Sequence, residues 1–100
     1  MTWTLACRLS ELESGPQERM IGSVVLALFK TEDQVYAVDA MCAHQGGPLA
    51  QGSLDGKCLT CPWHGWQYDV SNGHNILTGR KMIETYPVEV REEEVWVEIN

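Results

Sequence analysis

Two short segments hold the residues best suited to chemistry, Cys42-Ala43-His44 and Cys61-Pro62-Trp63-His64, with sixteen residues between them. Each carries one thiol and one imidazole. Two Cys and two His make a donor set for a soft or borderline metal, and they suit either zinc or an iron–sulfur cluster. Zinc modules usually draw on a close pair of Cys and a close pair of His, whereas here each segment mixes the two types. A mixed segment can hand its sulfur to one metal and its imidazole to another, as a two-iron cluster with two His ligands requires.

Other chemistries find little support. His74, the third and last histidine, lies in the polar turn Asn72-Gly73-His74-Asn75 and is expected to be a solvated loop residue. With His44 and His64 used by the hooks, no mononuclear iron site of two His and a carboxylate can be assembled from what remains. The chain also lacks a Ser–His–Asp set, a phosphate-binding glycine loop and a dinucleotide fingerprint, so substrate chemistry is not expected. The carboxylates Glu92, Glu93 and Glu94 sit together in what should be a solvated hairpin turn.

Composition sets the outer bounds. One hundred residues, 44% of them hydrophobic, describe a single globular domain. A formal charge of −7 argues against nucleic acid or an anionic membrane surface as partner. There is no apolar run of membrane-spanning length, and Met1-Thr2-Trp3-Thr4 lacks the layout of an export signal. A cytoplasmic location is therefore expected, and a reducing compartment disfavours pairing the four cysteines as disulfides. Cys42 and Cys61 are left as ligands. Cys7 and Cys58 alternate with apolar neighbours and are expected to be small buried side chains.

The elements that must position the two hooks are all β. Strands are expected over Trp3–Leu9, within Met20–Lys30 as one or two strands, and over Val35–Val38, which delivers the chain to Cys42. Ser10 to Pro16 is a turn-rich exit with at most one helical turn. Asp55-Gly56 signals a tight turn before a strand, Lys57–Thr60, that feeds Cys61. Gln67–Val70 follows, closed by Ser71-Asn72-Gly73, and Met82–Val90 with Val95–Ile99 form a last hairpin around Arg91 to Glu94. Short strands with turns between them suggest an antiparallel β-sandwich or open barrel.

Cys42-Ala43-His44-Gln45-Gly46-Gly47-Pro48-Leu49 and Cys61-Pro62-Trp63-His64-Gly65-Trp66-Gln67-Tyr68-Asp69 resemble the two cluster-binding loops of Rieske-type ferredoxins. The resemblance covers essentially the whole chain. It implies the Rieske (iron–sulfur-protein-like) fold, one domain over residues 1–100, with a cluster-binding lobe at about 41–77 inserted into a base built from 1–40 and 78–100. It implies one [2Fe–2S] cluster, with Cys42 and Cys61 on one iron and His44 and His64 on the other. Gly46, Gly47 and Gly65 would let backbone N–H groups approach the sulfurs, or simply make turns. Pro48 and Leu49 would stiffen and cover the first loop, Trp63 would lie beside the cluster and Trp66 behind it.

Departures from one branch of the family carry information. Rieske proteins of cytochrome-bc complexes have a disulfide between the loops, and Gly47 and Trp63 stand where those cysteines would be. Trp66 replaces a Ser that donates to a bridging sulfide there, while Tyr68 matches a Tyr whose hydroxyl donates to a ligand sulfur. Donors to sulfur stabilise the reduced state, so a potential below that of the respiratory class is expected. The imidazole N–H groups should lose protons more readily in the oxidised state, making electron uptake proton-coupled at alkaline pH. The implied role is that of a soluble one-electron carrier, not an enzyme, between a flavin-dependent reductase and a terminal oxygenase, with docking at the lobe tip around His44, Gln45, Gly46, His64 and Gly65. The chain is also similar to the small subunit of assimilatory nitrite reductase, which would make its partner a larger reductase subunit. A structural zinc module is the third alternative.

Overall fold

The computed structural model describes residues 2–31, 34–42, 47–63 and 65–99. The chain runs β1 (Thr2–Arg8), α1 (Leu9–Glu13), β2 (Gln17–Ile21), β3 (Val24–Lys30), β4 (Val35–Asp39), a 3-10 turn at Leu49–Gln51, then β5 (Ser53–Asp55), β6 (Cys58–Thr60), β7 (Gln67–Asp69), β8 (Thr85–Tyr86), β9 (Val88–Arg91) and β10 (Glu94–Ile99). Among the described residues three antiparallel sheets form, in the orders β1-β10-β9, β2-β3-β4-β8 and β5-β6-β7. The expected all-β, antiparallel class is what the chain adopts.

Strand β3 explains the layering. Ala27 and Phe29 enter one apolar core, with Leu49, Leu59, Tyr68, Val70, Cys42 and Cys61, while Leu26 and Leu28 enter a second, with Ala6, Cys7, Leu12, Val95 and Val97. Successive side chains of a strand point to opposite faces, so only a strand covered on both sides can bury four consecutive apolar residues. The β2-β3-β4-β8 sheet is thus the middle layer, with the core under the hooks on one face and the core shared with β1 and β10 on the other. Each fully buried Leu, Val or Phe here contributes about 1.5–3 kcal/mol relative to exposure. Phe29 and Val38 therefore fasten the β5-β6-β7 sheet to the middle layer.

Several local features differ from the simple strand pattern. The aliphatic stretch ending at Lys30 is two strands, because Gly22 takes a left-handed φ of 62° and turns the chain between Ile21 and Val24. Ser10 to Glu13 belong to a five-residue helix with Leu12 as its buried contact. The Arg8 N–H donates to Glu11 Oε1 at 2.8 Å and closes its first turn. β1 carries a bulge between Leu5 and Cys7, which lets Ala6 and Cys7 both turn inward. The expected strand Met82–Val90 is instead two pieces: Thr85–Tyr86 pairs with β4, and Val88–Arg91 pairs with β10. Pro87, which has no N–H to give a ladder, separates them.

Candidate metal centre

The two hooks are built alike. Cys42 leaves β4 and its N–H donates to the Gly47 carbonyl at 2.8 Å; Cys61 leaves β6 and its N–H donates to the Trp66 carbonyl at 2.7 Å. Each cysteine thus closes a loop onto the residue five positions on. The first loop is held further by the Met41–Pro48 bridge and by the Leu49 N–H on the Ala40 carbonyl, the second by the β6–β7 ladder. Both bonds fix the backbone at the cysteine itself, Cys61 directly after β6 and Cys42 three residues past the end of β4. His44, His64 and Gly46 lie outside the described residues, as do Ala43 and Gln45.

Both sulfurs are withdrawn from water: Cys42 and Cys61 are 4% and 2% exposed. They belong to one core cluster, with Leu49, Leu59 and Tyr68 fully buried around them. The buried Tyr68 hydroxyl lies 3.0 Å from Cys42 Sγ. The Trp63 N–H donates to Cys61 Sγ at 3.4 Å. Burial pushes the Cys61 thiol above its ordinary range, and the neighbouring Cys42 adds to this, while the Trp63 N–H pulls the other way. Two adjacent buried thiols become thiolates together only with a cation to neutralise them, and a thiophilic metal is that cation. The donor chemistry fits a thiolate-bound metal group. Among the described residues no group of three or more His, Cys, Asp or Glu forms, since the two His candidates are not among them.

The remaining positions fall as follows. Gly47 is buried, and a Cβ there would lie 2.8 Å from Cys61 Sγ, so its lack of a side chain is a matter of close approach. Gly65 has φ of 72° with open space around it, so its role is conformational. Trp66 packs in part against the core behind the hooks, whereas Trp63 is 48% exposed. No disulfide joins the four cysteines; Cys7 is buried, but Cys58 is only half-buried. His74 is also half-buried rather than solvated, because its backbone bridges to Lys81 and its N–H donates to Asn72 Oδ1.

Two polar residues outside the hooks also position the site. The Asn75 side chain is 4% exposed, and its Oδ1 accepts the N–H groups of Leu77 and Thr78 at 2.9 and 3.0 Å, pinning the loop beside the second hook. The Asp39 carboxylate accepts the Glu84 N–H and the Tyr86 hydroxyl, each at 2.8 Å, and joins the strand before the first hook to the chain returning to the base. Asn in an Asn-x-x turn is a recurrent local device, which offered some hint at Asn75; Asp39 offered none.

The architecture and this thiol pair define the class: a small β-sheet domain whose two matched loops each present a buried cysteine to a thiophilic metal group. Residues 2–87 match the Rieske [2Fe-2S] domain model, and the chain belongs to that family. It is 33% identical over 98 residues to Ferredoxin CarAc of Metapseudomonas resinovorans, covering 95% of this chain and 92% of that protein. It is 30% identical over 103 residues to the ferredoxin component of the naphthalene 1,2-dioxygenase system of Pseudomonas putida, covering 98% and 96% of the two chains. Among solved structures it resembles a chain of the complex of reduced oxygenase and oxidized ferredoxin in carbazole 1,9a-dioxygenase, with a TM-score of 0.83 and 31% identity, over 95% of this chain and 91% of that one. The chain has the Rieske fold and the cofactor is one Rieske-type [2Fe–2S] cluster, which sets aside the zinc alternative. The ferredoxin relatives favour an electron carrier over a catalytic enzyme and over the nitrite reductase subunit. Among the described residues no helix is long and apolar enough to cross a membrane.

Proposed function

We propose that this chain is the one-electron carrier of a multicomponent oxygenase system in the cytoplasm, taking electrons from a flavin-dependent reductase and giving them to a terminal oxygenase. Cys42, His44, Cys61 and His64 would hold the cluster. Bound there, a [2Fe–2S] cluster supplies reversible one-electron uptake at a potential raised by two neutral imidazoles in place of thiolates. The observation that carries the reading is the pair of buried, adjacent sulfurs with a buried tyrosine hydroxyl on one of them. With Cys42 bound as a thiolate, the Tyr68 hydroxyl would donate to its sulfur as the Trp63 N–H donates to that of Cys61, so both would be supported as they gain charge. Leu49, Leu59 and Tyr68 keep water from the inner side of the site.

Docking at the cluster-bearing end is supported by the surface there. Ile76 and Leu77 are 51% and 92% exposed, and they border an open groove of about 520 Å³ against Gly65 and Trp66. Charge is segregated as well. Between Met41 and Ile83 the sequence has three cations and two carboxylates, while the rest of the chain has four cations and twelve carboxylates. A partner that repels the acidic base and meets an apolar, nearly neutral tip is turned toward the cluster on approach.

The test is anaerobic loading with iron and sulfide. The expected product is red-brown, contains two iron and two acid-labile sulfides per chain, and gives a rhombic EPR signal on one-electron reduction. A colourless product without labile sulfide refutes the reading. Electron delivery is then checked by restoring turnover of a carbazole- or naphthalene-type dioxygenase from which its own ferredoxin is omitted.

A further inference from the structure

The contact between Trp63 and Gly47 joins the two hooks, and core packing does not account for it. A Cβ built on Gly47 would stand 3.0 Å from Trp63 Cγ and 3.1 Å from Cδ2, besides 2.8 Å from Cys61 Sγ. The indole therefore lies directly against the bare backbone of Gly47, over the same point that faces the Cys61 sulfur. Gly47 belongs to the first hook and is tied to Cys42 by the bond from its N–H to the Gly47 carbonyl, at 2.8 Å. Trp63 belongs to the second hook and touches the Cys61 sulfur through its own N–H. One side chain thus links the residue that closes the Cys42 loop to the residue that supports the Cys61 sulfur. A core tryptophan would be buried; this one keeps 48% of its surface in water. It is seated as a cover with one face on the site and the other outward.

We propose that the Trp63 indole, seated on Gly47, is the noncovalent clasp between the two metal-binding loops and the shield that sets the hydration of the Cys61 sulfur. This rests on reading Cys61 as a cluster ligand. Trp63 acts as a positioning residue. As a clasp, it restrains the two loops against each other across the site, and so slows release of the metal. As a shield, it keeps water from a sulfur that becomes more negative on reduction. Water stabilises that added charge, so removing the ring should favour the reduced state and raise the midpoint potential. Gly47 is the complementary half, because a methyl group at its Cβ would meet both the ring and the sulfur.

The experiment compares loaded wild type with Trp63→Ala, Trp63→Phe and Gly47→Ala. Two readouts are followed: the rate at which a ferrous chelator bleaches the cluster anaerobically, and the midpoint potential by spectroelectrochemistry. Trp63→Ala should bleach at least tenfold faster and show a higher midpoint. Trp63→Phe keeps a ring over Gly47 and should stay within about threefold of wild type, with the midpoint nearer to it. Gly47→Ala should resemble Trp63→Ala. Equal bleaching rates and midpoints for Trp63→Ala and wild type overturn the proposal. Should Trp63→Ala or Gly47→Ala fail to load, the Trp63→Phe variant decides, and a phenylalanine form that fails to load or bleaches more than tenfold faster than wild type overturns it. Wild type without labile sulfide would instead overturn the cluster reading itself, a separate failure.

Discussion

Replacing Tyr68 by Phe removes one oxygen from a fully buried ring and leaves its packing in place, so it isolates the hydroxyl on the Cys42 sulfur. At 3.0 Å the contact is short for a sulfur acceptor, and a hydrogen bond to a charged partner contributes about 1.5–3 kcal/mol. Only the difference between oxidation states moves the potential. If about a third of the bond strength is gained on reduction, the reduced state loses about 0.5–1 kcal/mol in the Phe variant, which at about 59 mV per tenfold for one electron is a fall of roughly 20–40 mV. Protein-film voltammetry or dye-mediated titration resolves such a shift. The visible spectrum and iron content should match wild type, which separates a lost hydrogen bond from a damaged site. A midpoint unchanged within about 10 mV, in a fully loaded variant, would show that the hydroxyl interacts equally with both states and would remove it from the account of potential.

Four further outcomes follow from the same geometry. Asp39→Ala deletes two bonds across the return from the hooks and should cost about 1–3 kcal/mol in denaturant unfolding, with m unchanged. The Tyr86 phenol is held protonated well above its ordinary range by burial and then by the Asp39 carboxylate. Because the folded form has the raised pKa, its contribution is complete below about pH 10 and is lost as the pH rises beyond that. Tyr86→Phe should therefore flatten the alkaline fall in melting temperature relative to wild type. Glu92 and Glu93 both have left-handed φ, 48° and 69°, at the centre of the β9–β10 turn, so Glu93→Gly should stabilise the fold by about 1 kcal/mol in thermal or denaturant unfolding. Leu77→Asp, at a 92% exposed position outside both cores, should leave the midpoint unchanged yet slow electron delivery to a terminal oxygenase severalfold in stopped-flow measurements.

How far the sequence could be read depended on the distance over which each feature is set. The hooks are local. Cysteine, histidine, proline and glycine lie within a few residues of one another, and the closing bonds run from Cys42 to Gly47 and from Cys61 to Trp66. The turns expected around Asp55-Gly56 and Arg91 to Glu94 are local too, although the turning residues are Gly56-Lys57 and Glu92-Glu93, with Asp55 paired to Cys58 and Arg91 to Glu94 as strand ends. What escaped is settled by partners far away in the chain. Asp39 looks like an ordinary strand-end acid until Glu84 and Tyr86, 45 and 47 residues on, are brought to it. Strand β5 escaped for a different reason: its partner β6 is close in the chain, but three residues, two of them polar, carry too little pattern to read as a strand.

The unbroken apolar run in β3 is the instructive intermediate case. Its composition predicted a strand, but alternation is the usual mark of a sheet with one wet face, and the run does not alternate. The missing alternation was itself the signal that both faces are covered. Ala27 and Phe29 reach the core beneath the cysteines while Leu26 and Leu28 reach the base, so the strand transmits the rigidity of one core to the other. A redox carrier profits from that arrangement, because sulfurs that move little between oxidation states need little reorganisation to exchange an electron. Potential can then be set by the buried Tyr68 hydroxyl and the half-exposed Trp63, and docking by the Ile76–Leu77 edge, without disturbing the layer that holds the site still.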